Sequence, residues 1–298
     1  MKLKTIPIEL EPDELLCVVG PTASSKTELA IRVCEEAGGE VIGADSVQIY
    51  RHFDIGSGKP TRQEQSRARH HLIDVADAVD PWDAARWAAE AEQAIADVRA
   101  RGKIPVVCGG TYLWVRALVL GLAEAPAASP GLRKQLEQQA REMGRETLHA
   151  RLAQVDPEIA ARLAPNDFVR VQRALEVFEL TGRRLSELQR EHQARPPRHR
   201  ARLVGVRWAP SELEARIAVR ASRWLEAGWV EEVRALCARG WGSTRPMSSV
   251  GYRQVRDHIE GHLSEADLVP AITRATKVFA RRQRTWLRDA PVLWIDRP

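Results

Sequence analysis

The stretch LLCVVGPTASSKTELAIRV (15–33) constrains the fold more than any other part of the chain. A short apolar run closes on Gly20, a turn of small residues follows, and Lys26 and Thr27 open a segment with Leu29, Ala30 and Val33 at helical spacing. Strand, glycine turn, Lys-Thr and helix is the geometry in which backbone N–H groups and a helix N-terminus converge on an anion. EVIGAD (40–45) reads as a second short strand ending in aspartate. DAARWAAEAEQAIADVRARG (83–102) reads as an alanine-rich helix closed by glycine, and IPVVCGG (104–110) as a third buried strand. Strands alternating with helices predict an α/β class with a parallel sheet.

The character changes after Gly121 and Leu122. APAASPG (125–131) is linker-like, and 131–192 is helical in pattern, with Leu132 and Leu136 on one face and Leu148, Leu152 and Val155 on another. RPPRHR (195–200) breaks the pattern; LVGVRW (203–208) returns as a strand, helices fill most of 211–288, and PVLWID (291–296) is a last strand. The domain reading is a core over 1–122, a helical insert over 123–200 and the rest of the core over 201–298. Hydrophobic residues make up 44% and charged residues 29% of the chain, a water-compatible balance. No apolar run reaches the roughly 20 residues of a bilayer span, and the N-terminus has no signal core. Cys17, Cys34, Cys108 and Cys237 stand at no metal-ligand spacing. They read as reduced packing residues of a cytoplasmic protein without membrane contact.

The loop supplies the first chemistry. Lys26 brings a point charge to a terminal phosphate, and the Thr27 hydroxyl suits Mg²⁺. The cradle runs through Gly20, Pro21, Thr22, Ala23, Ser24 and Ser25. The loop alone leaves the ligand open between a nucleoside triphosphate and a prenyl diphosphate. Asp45, at the carboxyl end of a predicted strand, faces the ligand crevice of an open α/β sheet. It reads as a base or hydrogen-bond acceptor, as an outer Mg²⁺ ligand, or as a turn aspartate. Formal charge is +5. Arg274, Lys277, Arg281, Arg284 and Arg288 recur at helical spacing on one face, with no acidic residue between 274 and 288. Such a stripe suits a nucleic-acid backbone.

Seven segments, in order, resemble the tRNA dimethylallyltransferase (tRNA isopentenyltransferase) family. They are GPTASSKT (20–27), ADSVQIYRHFDIGSGKPT (44–61), HHLID (70–74), GGTYLWVRALVLGL (109–122), NDFVRVQRALEVFELTG (166–182), VGYRQ (250–254) and ARRQRTWLR (280–288). The resemblance implies a P-loop NTPase-like parallel sheet core, similar to that of P-loop kinases, with an all-helical insert gripping the tRNA anticodon stem-loop. It implies Mg²⁺-dependent transfer of a dimethylallyl group from dimethylallyl diphosphate to the exocyclic amine of an adenine. That adenine lies 3′ of the anticodon in tRNAs reading codons that begin with U. Asp45 is then the proton acceptor, Thr111 lies near the reacting base, and Arg220 stands on the diphosphate side.

The same resemblance implies tRNA contacts by Asp45, Ser46, Val47, Gln48 and Thr111 at the target nucleotide. Arg133 and Val169, Arg170, Val171, Gln172 and Arg173 are expected on the tRNA from the insert. Gly251, Tyr252 and Arg253, and Arg281, Arg282, Gln283, Arg284, Trp286 and Arg288, are expected from the last two motifs. A monomer is expected, and the two histidines of HHLID are structural. The family carries glycine where this chain has Ser25. Serine reaches positive φ at a cost on the order of 1 kcal/mol, so Ser25→Gly is expected to bind dimethylallyl diphosphate at least as well. The competing readings are an ATP-using small-molecule kinase, a prenyltransferase of free adenine nucleotides, and a non-catalytic RNA-binding protein. The kinase leaves the basic stripe and the insert without a task.

Overall fold

The computed structural model describes residue 6 and residues 9–296. Its core is a six-stranded parallel sheet. The chain lays down β1 (Leu15–Val19), α1 (Lys26–Ala37), β2 (Gly39–Gly43), α2 (Arg62–Arg67), β3 (His70–His71), α3 (Ala84–Ala100), β4 (Ile104–Gly109) and α4 (Tyr112–Leu120). After the insert come β5 (Ala201–Val206), α10 (Pro210–Glu226), α11 (Trp229–Ala238), α12 (Tyr252–Ile259), α13 (Glu265–Leu287) and β6 (Val292–Ile295). The strand order is β3-β2-β4-β1-β5-β6, and every pairing is parallel.

Both faces of the sheet are covered, which is why its strands read as unbroken apolar runs. Leu15, Cys17 and Val19 of β1 pack with Ile42, Val107 and Leu203 on one face. Leu16 and Val18 pack with α1 residues Leu29, Ile31 and Val33 on the other. Burial pushes the Cys17 and Cys34 thiols up to about 12, so they are packing groups rather than nucleophiles. α2 and β3 have no counterpart in the sequence reading. β3 is two residues long; His71 Nε2 meets Glu40 Oε2 at 2.6 Å, consistent with a structural role for that histidine. No helix among the described residues is long and apolar enough to cross a membrane.

The second compact unit, Gly121–Pro197, is all helical: α5 (Pro130–Met143), α6 (Arg145–Val155), α7 (Pro157–Arg162), α8 (Phe168–Thr181) and α9 (Leu185–Gln193). Its own core joins Leu136, Leu148, Leu152, Ile159, Val171 and Leu175. Inside it sits Glu176, fully buried, accepting hydrogen bonds from the Ser129 amide at 2.8 Å and from Arg133 at 2.9 and 3.0 Å. Arg173 completes the set at 2.5 Å.

Candidate active site

A cavity of about 850 Å³ opens at the carboxyl ends of β1, β2 and β4, where open α/β sheets bind ligands. Thr22, Ala23, Ser24, Ser25, Lys26 and Thr27 line it; Gly20 and Pro21 do not, and Pro21 instead walls a second groove. Helix geometry leaves the first-turn amides of α1 without intrahelical acceptors. Ser24 is completely buried, and its hydroxyl has no hydrogen-bond partner among the described residues. Ala23 and Ser25 take left-handed φ values of 64° and 66°, and so the serine adopts the conformation that glycine would supply. Two braces were invisible in the sequence. Gln283 of α13, 7% exposed, accepts from the Thr22 amide at 2.9 Å and donates to the Gly110 carbonyl at 2.9 Å. Arg220 of α10 donates to the Thr22 hydroxyl and stacks on Trp224 at 4.4 Å. Gln283 is therefore a latch between two loops at the wall of the cavity.

The loop after β2 forms the facing wall. Asp45 Oδ1 accepts from the amides of Val47 at 2.9 Å and Gln48 at 3.3 Å. The turn role is thus real, and it uses one carboxylate oxygen. The other takes no hydrogen bond among the described residues and remains available to a ligand. Thr111 Oγ1 accepts from the Ser46 amide at 3.1 Å, tying the turn after β4 to the aspartate turn. Gln48 donates to the carbonyls of Ser57 at 3.1 Å and Gly58 at 2.9 Å, so its amide holds the loop rather than pointing freely into the site. Glu232 of α11 accepts from the amides of Asp54, Ile55 and Gly56 at 3.1, 2.7 and 3.4 Å, and from the Tyr252 hydroxyl at 2.7 Å. Tyr252 is fully buried and Gly251 is buried beside it, so both are framework rather than RNA contacts; Arg253 alone of that motif is exposed. Trp229 fills the space between the two segments. A Cβ on Gly56 would lie 2.0 Å from its ring, and one on Gly251, at φ +92°, 2.3 Å from it.

The cavity lining carries four cations, Lys26, Arg216, Arg220 and Arg223, against one carboxylate, Asp45. Burial lowers the Lys26 pKa, with Arg220 adding to the shift and Cys108 and Asp45 opposing it. Burial likewise brings Arg220 down to about 10 against the pull of Asp45. Both charges are costly without an anion. The unfolded chain holds a proton on Lys26 up to its ordinary value, and the folded protein releases it earlier. Stability therefore rises with pH across that window, and the charged lysine costs stability below it. Lys26→Met should raise the melting temperature of the ligand-free protein at pH 7 by about 2–4 °C while abolishing diphosphate binding. Calorimetry on both proteins reads the two effects together; an unchanged or lower midpoint would refute the electrostatic strain.

Beside polar groups such as Ser46, Thr111 and Thr276, the lining has an apolar part: Val47, Val219, Trp224, Trp229, Val250, Ile272 and Phe279. Val47 was expected and Val250 lies within VGYRQ; the other five come from α10, α11 and α13 and carry no motif, so sequence reasoning missed them.

The remaining expected tRNA contacts divide sharply. On α8, Val169 is 73% exposed and Arg170 is exposed, paired with Asp167. Val171 is buried, Gln172 donates to the Arg133 carbonyl at 2.9 Å, and Arg133 and Arg173 are bound to Glu176. The helix period turns those residues inward, so Val171 and Gln172 are corrected to core residues, and the two arginines serve the buried carboxylate. On α13, Lys277 pairs with Glu214 of α10 at 2.7 Å, a partner outside any search along one helix. Arg281, Arg284 and Arg288 line the second groove, about 900 Å³, together with Arg207, Trp208 and Trp294. Arg282 is exposed and Trp286 is 48% exposed.

Comparison with known proteins agrees with this architecture. The IPP transferase family model matches residues 48–290. The chain is 60% identical over 287 residues to the tRNA dimethylallyltransferase of Sorangium cellulosum, covering 96% of this chain and 91% of that protein. It is 46% identical over 285 residues to the enzyme of that name from Anaeromyxobacter dehalogenans, covering 95% of each. The crystal structure of the full-length tRNA isopentenylpyrophosphate transferase of Bacillus halodurans superposes with a TM-score of 0.70 at 31% identity, over 95% of this chain and 90% of that one. A P-loop-type sheet, a cation-rich cavity under one carboxylate, and identity along nearly the whole length place the chain in the IPP transferase family, among the tRNA dimethylallyltransferases.

Proposed function

We propose that the protein transfers the dimethylallyl group of dimethylallyl diphosphate to the exocyclic amine of the adenine 3′ of the anticodon, in tRNAs reading codons that begin with U. The observation that carries this reading is the single cavity in which Lys26, Arg220 and Asp45 share walls with Trp224, Trp229 and Phe279. A diphosphate suits the cations, and a five-carbon chain suits the apolar lining. A kinase reading explains the cations and leaves the apolar wall unused.

The adenine leaves the anticodon-loop stack and enters the crevice, at a cost of a few kcal/mol offset by contacts inside it. The amine nitrogen bonds to the allylic carbon as the carbon–oxygen bond to diphosphate breaks. The bonding pair leaves with the diphosphate, and the amine proton passes to Asp45. Lys26, Arg220 and the α1 amides meet the charge that grows on the leaving oxygens. Thr27 offers a hard oxygen donor of the kind that Mg²⁺ takes. When bound there with the diphosphate, the ion supplies further positive charge to the leaving group.

The groove of Arg207, Arg281, Arg284 and Arg288 suits the phosphate backbone of the tRNA, with Arg282, Trp286 and Arg253 on exposed surface of the same unit. Arg284→Ala should weaken tRNA binding and reduce the slope of log affinity against log salt by about 0.7–0.9. A slope equal to the parent's would remove this arginine from the interface.

The deciding experiment incubates the protein with Mg²⁺, labelled dimethylallyl diphosphate and unmodified tRNA, with free AMP and ATP-only reactions alongside. Label in the tRNA is the expected result. Label only in AMP would assign a free-nucleotide prenyltransferase, and ATP turnover without label would assign a kinase.

A further inference from the structure

The strained part of the phosphate loop is held from one side by two residues. Arg216 of α10 donates from Nε to the Ala23 carbonyl at 2.9 Å and from its terminal nitrogen to Ser25 Oγ at 2.7 Å. Its guanidinium lies over the Trp208 ring at 4.0 Å, and Trp208 Nε1 donates to the Ser24 carbonyl at 3.0 Å. Three consecutive loop residues, 23 to 25, are thereby fixed by two stacked side chains. Two of the three, Ala23 and Ser25, are the non-glycine residues at φ near +65°.

A guanidinium can only donate, so the Ser25 oxygen is the acceptor in this bond and its own proton is left to donate elsewhere. Ser25 lines the cavity beside Lys26 and Thr27. Resting on the diphosphate reading above, we infer that Ser25 is a diphosphate ligand oriented by Arg216. Its hydroxyl donates to a phosphate oxygen, and the arginine behind it fixes and polarises that hydroxyl without touching the phosphate. Arg216 is thus a positioning residue. Glycine at 25 would take positive φ freely and would leave Arg216 only its bond to the Ala23 carbonyl. The serine of this chain thus gives Arg216 a second acceptor and the loop a hydroxyl donor. This reverses the expectation from the sequence alone that Ser25→Gly would bind at least as well.

The test is a double-mutant cycle on Ser25→Gly and Arg216→Met, read by calorimetric binding of inorganic diphosphate with Mg²⁺ to the full chain. Each single variant is expected to bind about tenfold more weakly. The double variant is expected to bind no more than about twofold more weakly than Arg216→Met, since removing the brace already removes the oriented hydroxyl. Ser25→Ala, which keeps the strained backbone and loses the hydroxyl, is expected to bind more weakly than Ser25→Gly. In transfer assays Arg216→Met should raise KM for dimethylallyl diphosphate more than it lowers kcat. Parent-like binding by Ser25→Gly, or losses that multiply in the double variant, would overturn the inference, as would a parent protein that binds no diphosphate. A parent that binds diphosphate with the expected coupling yet labels no tRNA would overturn the transfer reading and leave this one standing.

Discussion

Asp45→Asn is expected to bind tRNA as the parent does and to transfer the dimethylallyl group about 10²–10⁴ times more slowly. Asparagine separates the two tasks of this residue. Its side-chain oxygen can still accept from the Val47 and Gln48 amides, so the turn survives. What is lost is the charge and basicity of the second oxygen. Single-turnover transfer at saturating tRNA, beside filter binding, gives both numbers. Turnover close to the parent's would reduce Asp45 to a turn residue and leave the proton without an acceptor on this wall. The charge change also reaches the opposite wall. Asp45 supports the protonated forms of Lys26 and Arg220 against burial, so its removal lowers both pKa values further and shifts the alkaline limit of diphosphate binding to lower pH.

Glu176→Ala is expected to destabilise the helical unit by roughly 3–5 kcal/mol, toward the lower end. The parent carboxylate is buried and receives the Ser129 amide and the guanidiniums of Arg133 and Arg173. Burial pushes its pKa up, but the two arginines outweigh that and hold it below the ordinary carboxylate value. Alanine strands a buried N–H and two cations. The arginine side chains are 40% and 30% exposed and can turn to water, which moderates the loss. Urea unfolding followed by far-UV circular dichroism reads the change; a shift below 1 kcal/mol would mean the cluster breaks even. A depressed carboxylate stabilises above its ordinary pKa and loses that contribution as pH falls through the folded value. The parent should therefore lose part of the stability gap to the variant when assayed below pH 4.

The parts of the fold legible in sequence are those whose signals are local. β1, the loop and α1 announce themselves within nineteen residues, because burial on both faces writes a continuous apolar run and the anion site needs Lys26 and Thr27 beside it. The helical unit showed through its leucine spacing. Two failures have one cause. Gln283 was expected on the RNA because it stands in the motif ARRQRTWLR, and its latch role stayed hidden because it spans 261 residues to Thr22 and 173 to Gly110. Glu232 carried no motif, and its acceptors' partners lie 176 to 178 residues away. Long-range hydrogen bonds leave no periodicity. Within α8 the pattern did contain the answer: Val171, Ala174 and Leu175 mark the buried face, and the family motif, read as contiguous, overrode it.

Trp229 ties together two segments whose glycines could otherwise drift independently. Because the indole excludes a side chain at 56 and one at 251, its size sets the room at both positions. A lineage that replaces the tryptophan by a smaller residue opens room at both, yet position 251 keeps its preference for glycine, since its φ of +92° strains any other residue. Conversely, an alanine at position 56 can be accepted only after position 229 has shrunk. The order of substitution at 56 and 229 is thereby fixed by packing, and these two sites should covary even though neither bears a reactive group.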